Sequence, residues 1–298
     1  MRISIIILLL IFSHTLCANG EPWLKFASVQ APKLNEISGM TTIYNAKGFW
    51  VHNDSGDSPS IYAISKSGNL LSTVLIKGAK AKDWEDVASF NSEGKRYLLI
   101  GDVGDNKAKR PFVTLYAILE PPVSNNSTTS QIELAWSINL RYPGGPRDVE
   151  SIAVDSLNNT VLLLSKRTGK PILYSCPLRP FENKSGQYLA KEVASFEMPK
   201  LYYSEHIKIN KGSYWPTAMD LNVDSSNLAI LTYRSIVIFS RDGNQKWSSV
   251  FTSKPRVIRI PDLRQSESLC YDKKGDLIIS SEKLPVPMYR LSNRYLSK

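Results

Sequence analysis

The chain has 298 residues, of which 42% are hydrophobic, and its 37 Lys and Arg side chains outnumber 27 Asp and Glu to give a net charge of +10. The basic residues are scattered along the sequence and no nucleic-acid-binding motif is present, which excludes a nucleic-acid partner. The positive charge then indicates either an ordinary basic surface or an attraction for anionic ligands and cell envelopes.

The first predicted element is a secretory signal peptide over residues 1–20. Arg2 precedes an apolar segment from Ile3 to Phe12, and the small residues Ala18 and Gly20 follow it. The apolar segment is short for a membrane span, and an uncleaved anchor is the alternative. We therefore predict a secreted or periplasmic protein without membrane insertion after cleavage, in which residues 21–298 form a single domain.

A motif of one polar residue before two apolar strands then occurs five times. The polar residue is Glu in four copies and Thr in one, and the copies are spaced 49 to 67 residues apart. The five motif residues are Glu36, Glu85, Glu150, Thr217 and Glu267. Repeats of about this length, each built from a few short strands, are the signature of a β-propeller.

Each propeller blade needs four antiparallel strands, and the sequence supplies them in chain order. Blade 1 is predicted at Ile37–Ile43, Gly48–Asn53, Ser60–Ile64 and Leu70–Ile76. Blade 2 is predicted at Asp86–Phe90, Tyr97–Gly101, Val113–Leu119 and Ile132–Asn139. Blade 3 is predicted at Ser151–Val154, Val161–Ser165, Ile172–Cys176 and Leu189–Glu197. Blade 4 is predicted at Ala218–Val223, Leu228–Thr232, Ile236–Ser240 and Val250–Ile260.

The fifth blade has only three strands before the chain ends: Ser268–Tyr271, Leu277–Ser281 and Met288–Leu291. The segment Trp23–Val29 has no partner strand near the first repeat. If it pairs with blade 5, the ring closes and that blade keeps no unpaired edge strand. This predicts an all-β, five-bladed propeller closed by its N-terminal strand. A six-bladed ring is the alternative, and Leu201–Tyr214 is the segment that would have to supply the extra strands.

The motif residue precedes the innermost strand of each blade, so the five copies should form a ring at one mouth of the central channel. Four of them are carboxylates: Glu36, Glu85, Glu150 and Glu267. Carboxylates this close repel one another unless a cation or a proton relieves them, and oxygen ligands suit Ca²⁺ or Mg²⁺. We therefore predict a divalent-cation site, with Ca²⁺ as the candidate. The alternative is that these Glu side chains cap backbone N–H groups of the next blade.

The second strand of each blade runs back to the same mouth. In blade 1 it delivers His52 and Asp54, our candidates for activating a water molecule. The candidate ligand-binding residues are Asp102, Lys166, Arg167 and Arg234, of which the three basic ones suit an anion. Two alternatives stay open: His52 is a hydrogen-bonded turn residue, and the charges neutralise one another across the ring.

The first two blades also share the pattern Asp-x-Gly-Asp, in HNDSGDS and IGDVGDN. This pattern aligns Asp54 with Asp102 and Asp57 with Asp105. Asp followed by Gly at these places is typical of a tight polar turn. The same carboxylates are also possible cation ligands.

Residues 36–120 carry a more specific pattern, which resembles a family of secreted bacterial β-propeller proteins. The stretches are EISGM, WVHNDSGDSPSIYAIS and DWEDVASFNSEGKRYLLIGDVGDNKAKRPFVTLYAILEP. The family pattern is EISGL, HNDSG, DWEDIA and YIGDxGDN, followed by Arg and then IY. The resemblance implies export and a propeller fold, and it carries no established activity.

More distantly, the repeat of Glu before a strand is similar to that of calcium-activated apyrases, which are five-bladed and hold Ca²⁺ in the channel. It is also similar to phytase-like and gluconolactonase-like propellers, which hold metals at carboxylates of the channel mouth. These similarities imply a divalent cation and phosphoester or lactone chemistry, by analogy of fold.

Two functions are therefore expected. The first is a secreted propeller whose mouth binds a divalent cation and a small anionic ligand. If this propeller is an enzyme, the expected reaction is metal-assisted hydrolysis of a phosphoester or lactone. The second is a non-catalytic module that binds a protein or glycan at the cell surface. A Gly-x-Ser-x-Gly nucleophile motif is absent from the sequence. We expect a monomer for either function.

Overall fold

The structure, a computed structural model, describes residues 22–44, 47–123, 128–181, 185–201, 210 and 212–296. The predicted signal peptide lies outside these residues. The described chain is all-β apart from one helical turn and one 3₁₀ turn, and its strands form five separate sheets. No helix among the described residues is long and apolar enough to cross a membrane.

The five sheets are the blades of a β-propeller. The strands of each blade are given in order from the innermost to the outermost. Blade 1 contains β2 (Ile37–Thr42), β3 (Gly48–Asn53), β4 (Ser60–Ser65) and β5 (Leu70–Lys77). Blade 2 contains β6 (Asp86–Ser92), β7 (Lys95–Asp102), β8 (Val113–Leu119) and β10 (Trp136–Arg141). Blade 3 contains β11 (Val149–Asp155), β12 (Thr160–Ser165), β13 (Ile172–Pro177) and β15 (Lys191–Ser195).

The last two blades complete the ring. Blade 4 contains β16 (Pro216–Leu221), β17 (Asn227–Thr232), β18 (Ser235–Ser240) and β19 (Arg256–Arg259). Blade 5 contains β20 (Ser266–Tyr271), β21 (Leu277–Ser281), β22 (Val286–Leu291) and β1 (Trp23–Val29). The five-bladed prediction is confirmed, and the six-bladed alternative is wrong. Within Leu201–Tyr214, residues 202–209 and 211 lie outside the described residues.

The N-terminal strand closes the ring as predicted. β1 pairs antiparallel with β22, from Trp23 opposite Leu291 to Val29 opposite Val286. The indole Nε1 of Trp23 donates a hydrogen bond to the carbonyl of Arg259 in blade 4, at 2.8 Å. Strand β1 therefore completes blade 5 and also ties it to its neighbour.

The outermost strands differ from the prediction in blades 2 and 3. The chain first runs parallel to the outer strand of the preceding blade and only then joins its own. Thus β9 (Thr128–Glu133) pairs with β5 before β10 begins, and β14 (Ser185–Leu189) pairs with β10 before β15 begins. The single predicted strands Ile132–Asn139 and Leu189–Glu197 are each two strands on adjacent blades. In blade 4, the one-turn helix α1 (Trp247–Val250) occupies the start of predicted strand Val250–Ile260.

The core consists of apolar clusters between neighbouring blades, and the innermost strands surround a narrow channel. Asp86 reaches across this channel from β6. One carboxylate oxygen, Oδ2, accepts hydrogen bonds from the backbone N–H groups of Ile152 on β11 at 3.0 Å and Met219 on β16 at 3.2 Å. Cys176 and Cys270 are both buried and form no disulfide with each other. They lie on β13 and β20, which belong to different blades.

Candidate functional site

The strand register changes the alignment of the repeated motif. In blades 1, 3, 4 and 5, the innermost strand contains a β-bulge that sets one residue apart from the ladder. That residue is Glu150, Thr217 or Glu267 in blades 3 to 5, but Ser38 in blade 1. The motif position of blade 1 is therefore Ser38, and Glu36 lies two residues earlier with an exposed side chain. The sequence alignment was wrong here because a bulge adds a residue without changing the apolar pattern.

A second repeated contact identifies two more rings of residues at the same mouth. In four blades, a backbone N–H just after the second strand donates a hydrogen bond to a backbone carbonyl near the motif residue. The accepting carbonyl belongs to the residue two positions before the motif residue. The donor–acceptor pairs are Asp54–Glu36, Gly104–Asp83, Lys166–Asp148 and Glu282–Gln265. Blade 2 therefore has a glycine where other blades carry a charged side chain.

Three carboxylates converge beside this glycine. One oxygen each from Asp54, Asp83 and Glu85 lies within 4.8 Å of the other two. A Cβ atom on Gly104 would come within 2.6 Å of the Asp83 carboxylate, so only glycine leaves the space open. None of the described residues donates a hydrogen bond to the carboxylate of Asp83 or Glu85, and Asp54 accepts one from the Ser55 N–H at 2.6 Å.

The convergence shifts the acidity of these groups. Burial and the nearby charges of Asp54 and Glu150 raise the pKa of Asp83 to about 7. Burial and the neighbouring carboxylates also raise the pKa of Glu85 well above its usual value, and burial raises the pKa of Asp54. Such groups ionise fully only when a cation compensates them.

Two basic side chains form ion pairs with the acidic residues of blade 3. The Lys166 ammonium donates to Glu150 Oε2 at 2.7 Å and is only 3% exposed. The Arg167 guanidinium donates to Glu150 Oε1 at 2.8 Å and also to Asp148. Its side chain stays 35% exposed, and the guanidinium lies 5.4 Å from the ring centre of Trp215. Lys166 is therefore a buried counter-charge, whereas Arg167 remains accessible to a ligand.

Glu267 and Glu282 form the acidic part of blade 5. Glu267 Oε1 accepts a hydrogen bond from the Tyr233 hydroxyl at 2.7 Å, and its buried Oε2 has no partner among the described residues. Burial and the charge of Glu150 raise the pKa of Glu267 to about 8. Burial and the charges of Asp54 and Glu36 raise the pKa of Glu282 to about 7. Both side chains are therefore easily protonated near neutral pH.

The two motif positions without Glu donate hydrogen bonds to backbone carbonyls, which is a different contact from the capping of N–H groups by Glu. The Ser38 hydroxyl donates to the carbonyl of Glu85 at 2.8 Å, and the Thr217 hydroxyl donates to the carbonyl of Ser266 at 2.7 Å. The hydroxyls thus bind backbone of the next blade. The carboxylates of Glu150 and Glu267 accept hydrogen bonds from side chains instead.

His52 does not lie at the mouth, contrary to the prediction. Its side chain is 0% exposed, and Nδ1 is hydrogen-bonded to the carbonyl of Asn53 at 2.8 Å. The imidazole fills the space left by Gly39, opposite on β2, and meets Trp84 edge-on with 5.6 Å between ring centres. Burial lowers the pKa of His52 to about 4. A buried, neutral imidazole is a structural residue between blades 1 and 2, and it cannot reach a water molecule at the mouth.

Two candidate ligand-binding residues also have structural partners. The Asp102 carboxylate is 1% exposed and pairs with Arg110 at 2.9 Å. Arg234 pairs with the exposed Asp262 at 3.2 Å. In the two Asp-x-Gly-Asp turns, Asp57 and Asp105 accept hydrogen bonds from backbone N–H groups of their own loops.

Sequence reasoning missed Asp83 and Asp148. A signal was available, because both stand two residues before a motif Glu, in DWE and DVE. Gly104 could not be recognised, since its importance depends on which carboxylates face it.

No family model matches the chain, and no curated protein matches it. Among solved structures, a glucose dehydrogenase has a TM-score of 0.49 at 7% identity, covering 91% of this chain and 99% of that one. The PQQ-bound aldose sugar dehydrogenase from Streptomyces coelicolor has a TM-score of 0.45 at 9% identity, covering 90% and 97%. A chain of a nidogen–laminin complex has a TM-score of 0.44 at 10% identity, covering 82% and 72%. These likenesses concern the fold alone and carry no argument about ligand or reaction.

Proposed function

We propose that the channel mouth binds a divalent cation, Ca²⁺ in the first place, through Asp54, Asp83 and Glu85. The observation that carries this proposal is the approach of three carboxylate oxygens within 4.8 Å, in a place where Asp83 and Glu85 receive no hydrogen bond from the described residues. Ligand oxygens lie about 2.4 Å from Ca²⁺, so oxygens on one ion are up to about 4.8 Å apart. The residues present therefore fit the ion.

The proposed ligand set differs from the four motif Glu residues expected from the sequence. Glu85 stays in it. Glu150 already has two cationic partners, Glu267 is bonded to Tyr233, and Glu36 is exposed at the rim. Asp54 moves from water activation to cation binding.

An anionic small molecule is the proposed ligand beside the cation. Arg167 is held by two buried acidic partners, and its side chain stays 35% exposed. Its guanidinium offers fixed donors for a phosphate or carboxylate, and the Trp215 ring next to it offers an apolar face. Lys166, at 3% exposed, serves as counter-charge rather than ligand contact.

If the protein is an enzyme, the reaction is hydrolysis of a phosphoester or lactone. A bound divalent cation supplies Lewis-acid polarisation of the ester oxygen and acidifies water. Glu282 is the proposed general base, because it occupies in blade 5 the place that Asp54 occupies in blade 1, at the same mouth. Arg167 would orient the anionic part of the substrate. We also propose that the protein is secreted or periplasmic, because residues 1–20 have the pattern of a signal peptide.

The experiment is a calcium titration followed by thermal unfolding, using wild type, Asp83→Asn and Glu36→Gln. Glu36→Gln is the matched control, because it removes an acid from the equivalent place in blade 1. We expect Ca²⁺ at about 100 times its Kd to stabilise wild type and Glu36→Gln by about 2.7 kcal/mol, and to leave Asp83→Asn unchanged. If neither Ca²⁺ nor Mg²⁺ changes the melting temperature of the wild-type protein, the cation site is refuted.

The same preparations then distinguish an enzyme from a binding module. p-Nitrophenyl phosphate and gluconolactone are offered with Ca²⁺ and with a chelator. Calcium-dependent turnover that is lost in Glu282→Gln supports the hydrolase. Calcium binding without turnover of either compound class would favour the non-catalytic module.

A further inference from the structure

The channel has a second polar cavity at the end opposite the mouth. Its volume is about 490 Å³, and residues from the ends of all five innermost strands line it. Thr42, Phe90, Val154, Leu221 and Tyr271 represent the five blades. They follow the motif positions by four or five residues, which places the cavity on the order of 13–17 Å from the mouth.

Asp86 separates the two ends of the channel. Its carboxylate joins β6 to β11 and, across the channel, to β16 through the N–H of Met219. The next residue, Asp220, lines the second cavity. The cavity is therefore distinct from the proposed cation site.

The hydroxyl group of Ser89 is a hydrogen-bond donor at the cavity. Ser89 Oγ accepts hydrogen bonds from the Thr41 hydroxyl at 2.8 Å and from Arg96 Nη2 at 2.7 Å. A hydroxyl oxygen accepts two hydrogen bonds and donates one. The hydroxyl proton of Ser89 has no acceptor among the described residues, so it is available to a molecule in the cavity.

The cavity also presents a fixed acceptor. Asp220 Oδ1 accepts from the Leu221 N–H at 2.9 Å and Oδ2 from the Tyr271 N–H at 2.8 Å. Each oxygen keeps a second lone pair, and no ion pair uses it in the described part of the chain. Tyr271 is 7% exposed, and its buried hydroxyl has no partner among the described residues.

The charges of the lining residues balance one another. Arg96 pairs with Glu120 at 3.1 Å, and Lys273 lies 4.5 Å from the ring centre of Tyr44. Glu120 offsets Arg96, Asp272 offsets its neighbour Lys273, and burial raises the pKa of Asp220 to about 7, so the lining carries no large net charge of either sign at neutral pH. Hydroxyl groups both donate and accept, as the unpaired Ser89 proton and the Asp220 oxygens require.

We propose that this cavity binds a neutral polyhydroxylated molecule, such as a monosaccharide or a cyclic polyol. Its volume lies within the range of small-molecule sites. Asp220 would accept from ligand hydroxyls, Ser89 would donate to one, and the aromatic side chains of Phe90 and Tyr271 would cover an apolar part of the lining. This site is independent of the proposed cation and of any hydrolysis at the mouth.

Isothermal titration calorimetry tests the proposal with D-glucose, D-galactose, D-mannose and myo-inositol, against L-alanine and inorganic phosphate as charged probes. We expect saturable binding of at least one neutral compound. Asp220→Asn should weaken it by roughly tenfold or more, because a charge-assisted acceptor is lost. Asp224→Asn is the matched control in the turn that follows β16, since Asp224 is exposed and outside the cavity lining, and it should bind like wild type.

Ser89→Ala provides a second variant if Asp220→Asn fails to fold, and it should also weaken binding. Calcium-dependent stabilisation should be the same in wild type and Asp220→Asn, so a failure here is separable from a failure of the cation site. The proposal is overturned if none of the four neutral compounds binds, if only alanine or phosphate binds, or if binding survives both lining variants.

Discussion

Glu150 and Glu267 occupy equivalent bulges in blades 3 and 5, yet their side chains have different partners. Glu150 accepts from the cations Lys166 and Arg167. Glu267 accepts one hydrogen bond from the Tyr233 hydroxyl and keeps a buried oxygen without a partner in the described structure. Burial therefore favours the protonated acid at Glu267. The same residue in the same backbone position thus has two electrostatic roles, because Glu150 meets two cations of its own blade and Glu267 meets a neutral hydroxyl of blade 4.

The first prediction concerns the pH dependence that Glu267 imposes. Burial and the charge of Glu150 raise its pKa from 4.5 to about 8, so between these values the folded state holds a proton that the unfolded state releases. Stability then falls as pH rises through this window. Glu267→Gln keeps the acceptor for Tyr233 and removes the titration. Urea unfolding at pH 5.5 and 8.5 without divalent cations should show a smaller loss of stability in Glu267→Gln than in wild type. An equal loss in both proteins would contradict this role.

At the scale of the element, the strand-to-strand loop of blade 2 decides the shape of the mouth. Its backbone N–H at Gly104 makes the same contact as that of Asp54 in blade 1 and Lys166 in blade 3. The glycine removes the side chain from one of the four places that share this contact. Asp83 and Glu85 consequently face an open space rather than a neighbour of their own repeat.

The second prediction is that Gly104→Ala abolishes cation binding. The added Cβ would lie within 2.6 Å of the Asp83 carboxylate and would also meet Glu85, so both carboxylates must move. Calcium-dependent stabilisation should be lost, whereas it should persist in Gly169→Ala, where an added Cβ meets nothing within 4 Å. Full calcium stabilisation in Gly104→Ala would argue against these ligands.

The third prediction concerns the contact between blades 3 and 4. Arg241 follows β18 and pairs with Asp155 at the end of β11 at 2.7 Å, with both side chains 2% exposed. Arg241→Met should lower the free energy of unfolding by about 3–5 kcal/mol, because it leaves a buried carboxylate without its counter-charge. Chemical denaturation measures this loss.

The control for that variant is Lys77→Met. Lys77 pairs with Glu133 at 3.2 Å, but these side chains are 50% and 75% exposed, so the loss should stay below about 1 kcal/mol. Equal losses in the two variants would mean that the buried pair does not hold the blades together.

At the scale of the whole molecule, the ring depends on pairing the two ends of the chain. β1 supplies the outer strand of blade 5, and its residues Trp23 and Val29 are buried at 8% and 0% exposed. Each buried side chain of this kind contributes about 1.5–3 kcal/mol. Ring closure is thus a long-range contact that the rest of blade 5 cannot replace.

The fourth prediction is that a chain beginning after Val29 fails to form a stable monomer. It loses these buried side chains and exposes the edge of β22 to aggregation. A chain beginning at residue 22 is the control and should elute as a folded monomer in size-exclusion chromatography. A truncated chain with the control's melting temperature would show that closure by β1 is dispensable.

The sequence by itself determined the all-β class, the number of blades and their closure, because apolar runs, polar turns and their period are local properties. It also identified Glu85 and Asp54 as residues of one mouth. Only the tertiary structure decided that Ser38 rather than Glu36 holds the motif position, that His52 is buried and that Asp83 joins the site. A β-bulge shifts a strand by one residue without altering its composition, and the partner of a charged group comes from another blade. Such contacts are fixed by packing between repeats, which the order of residues within one repeat does not contain.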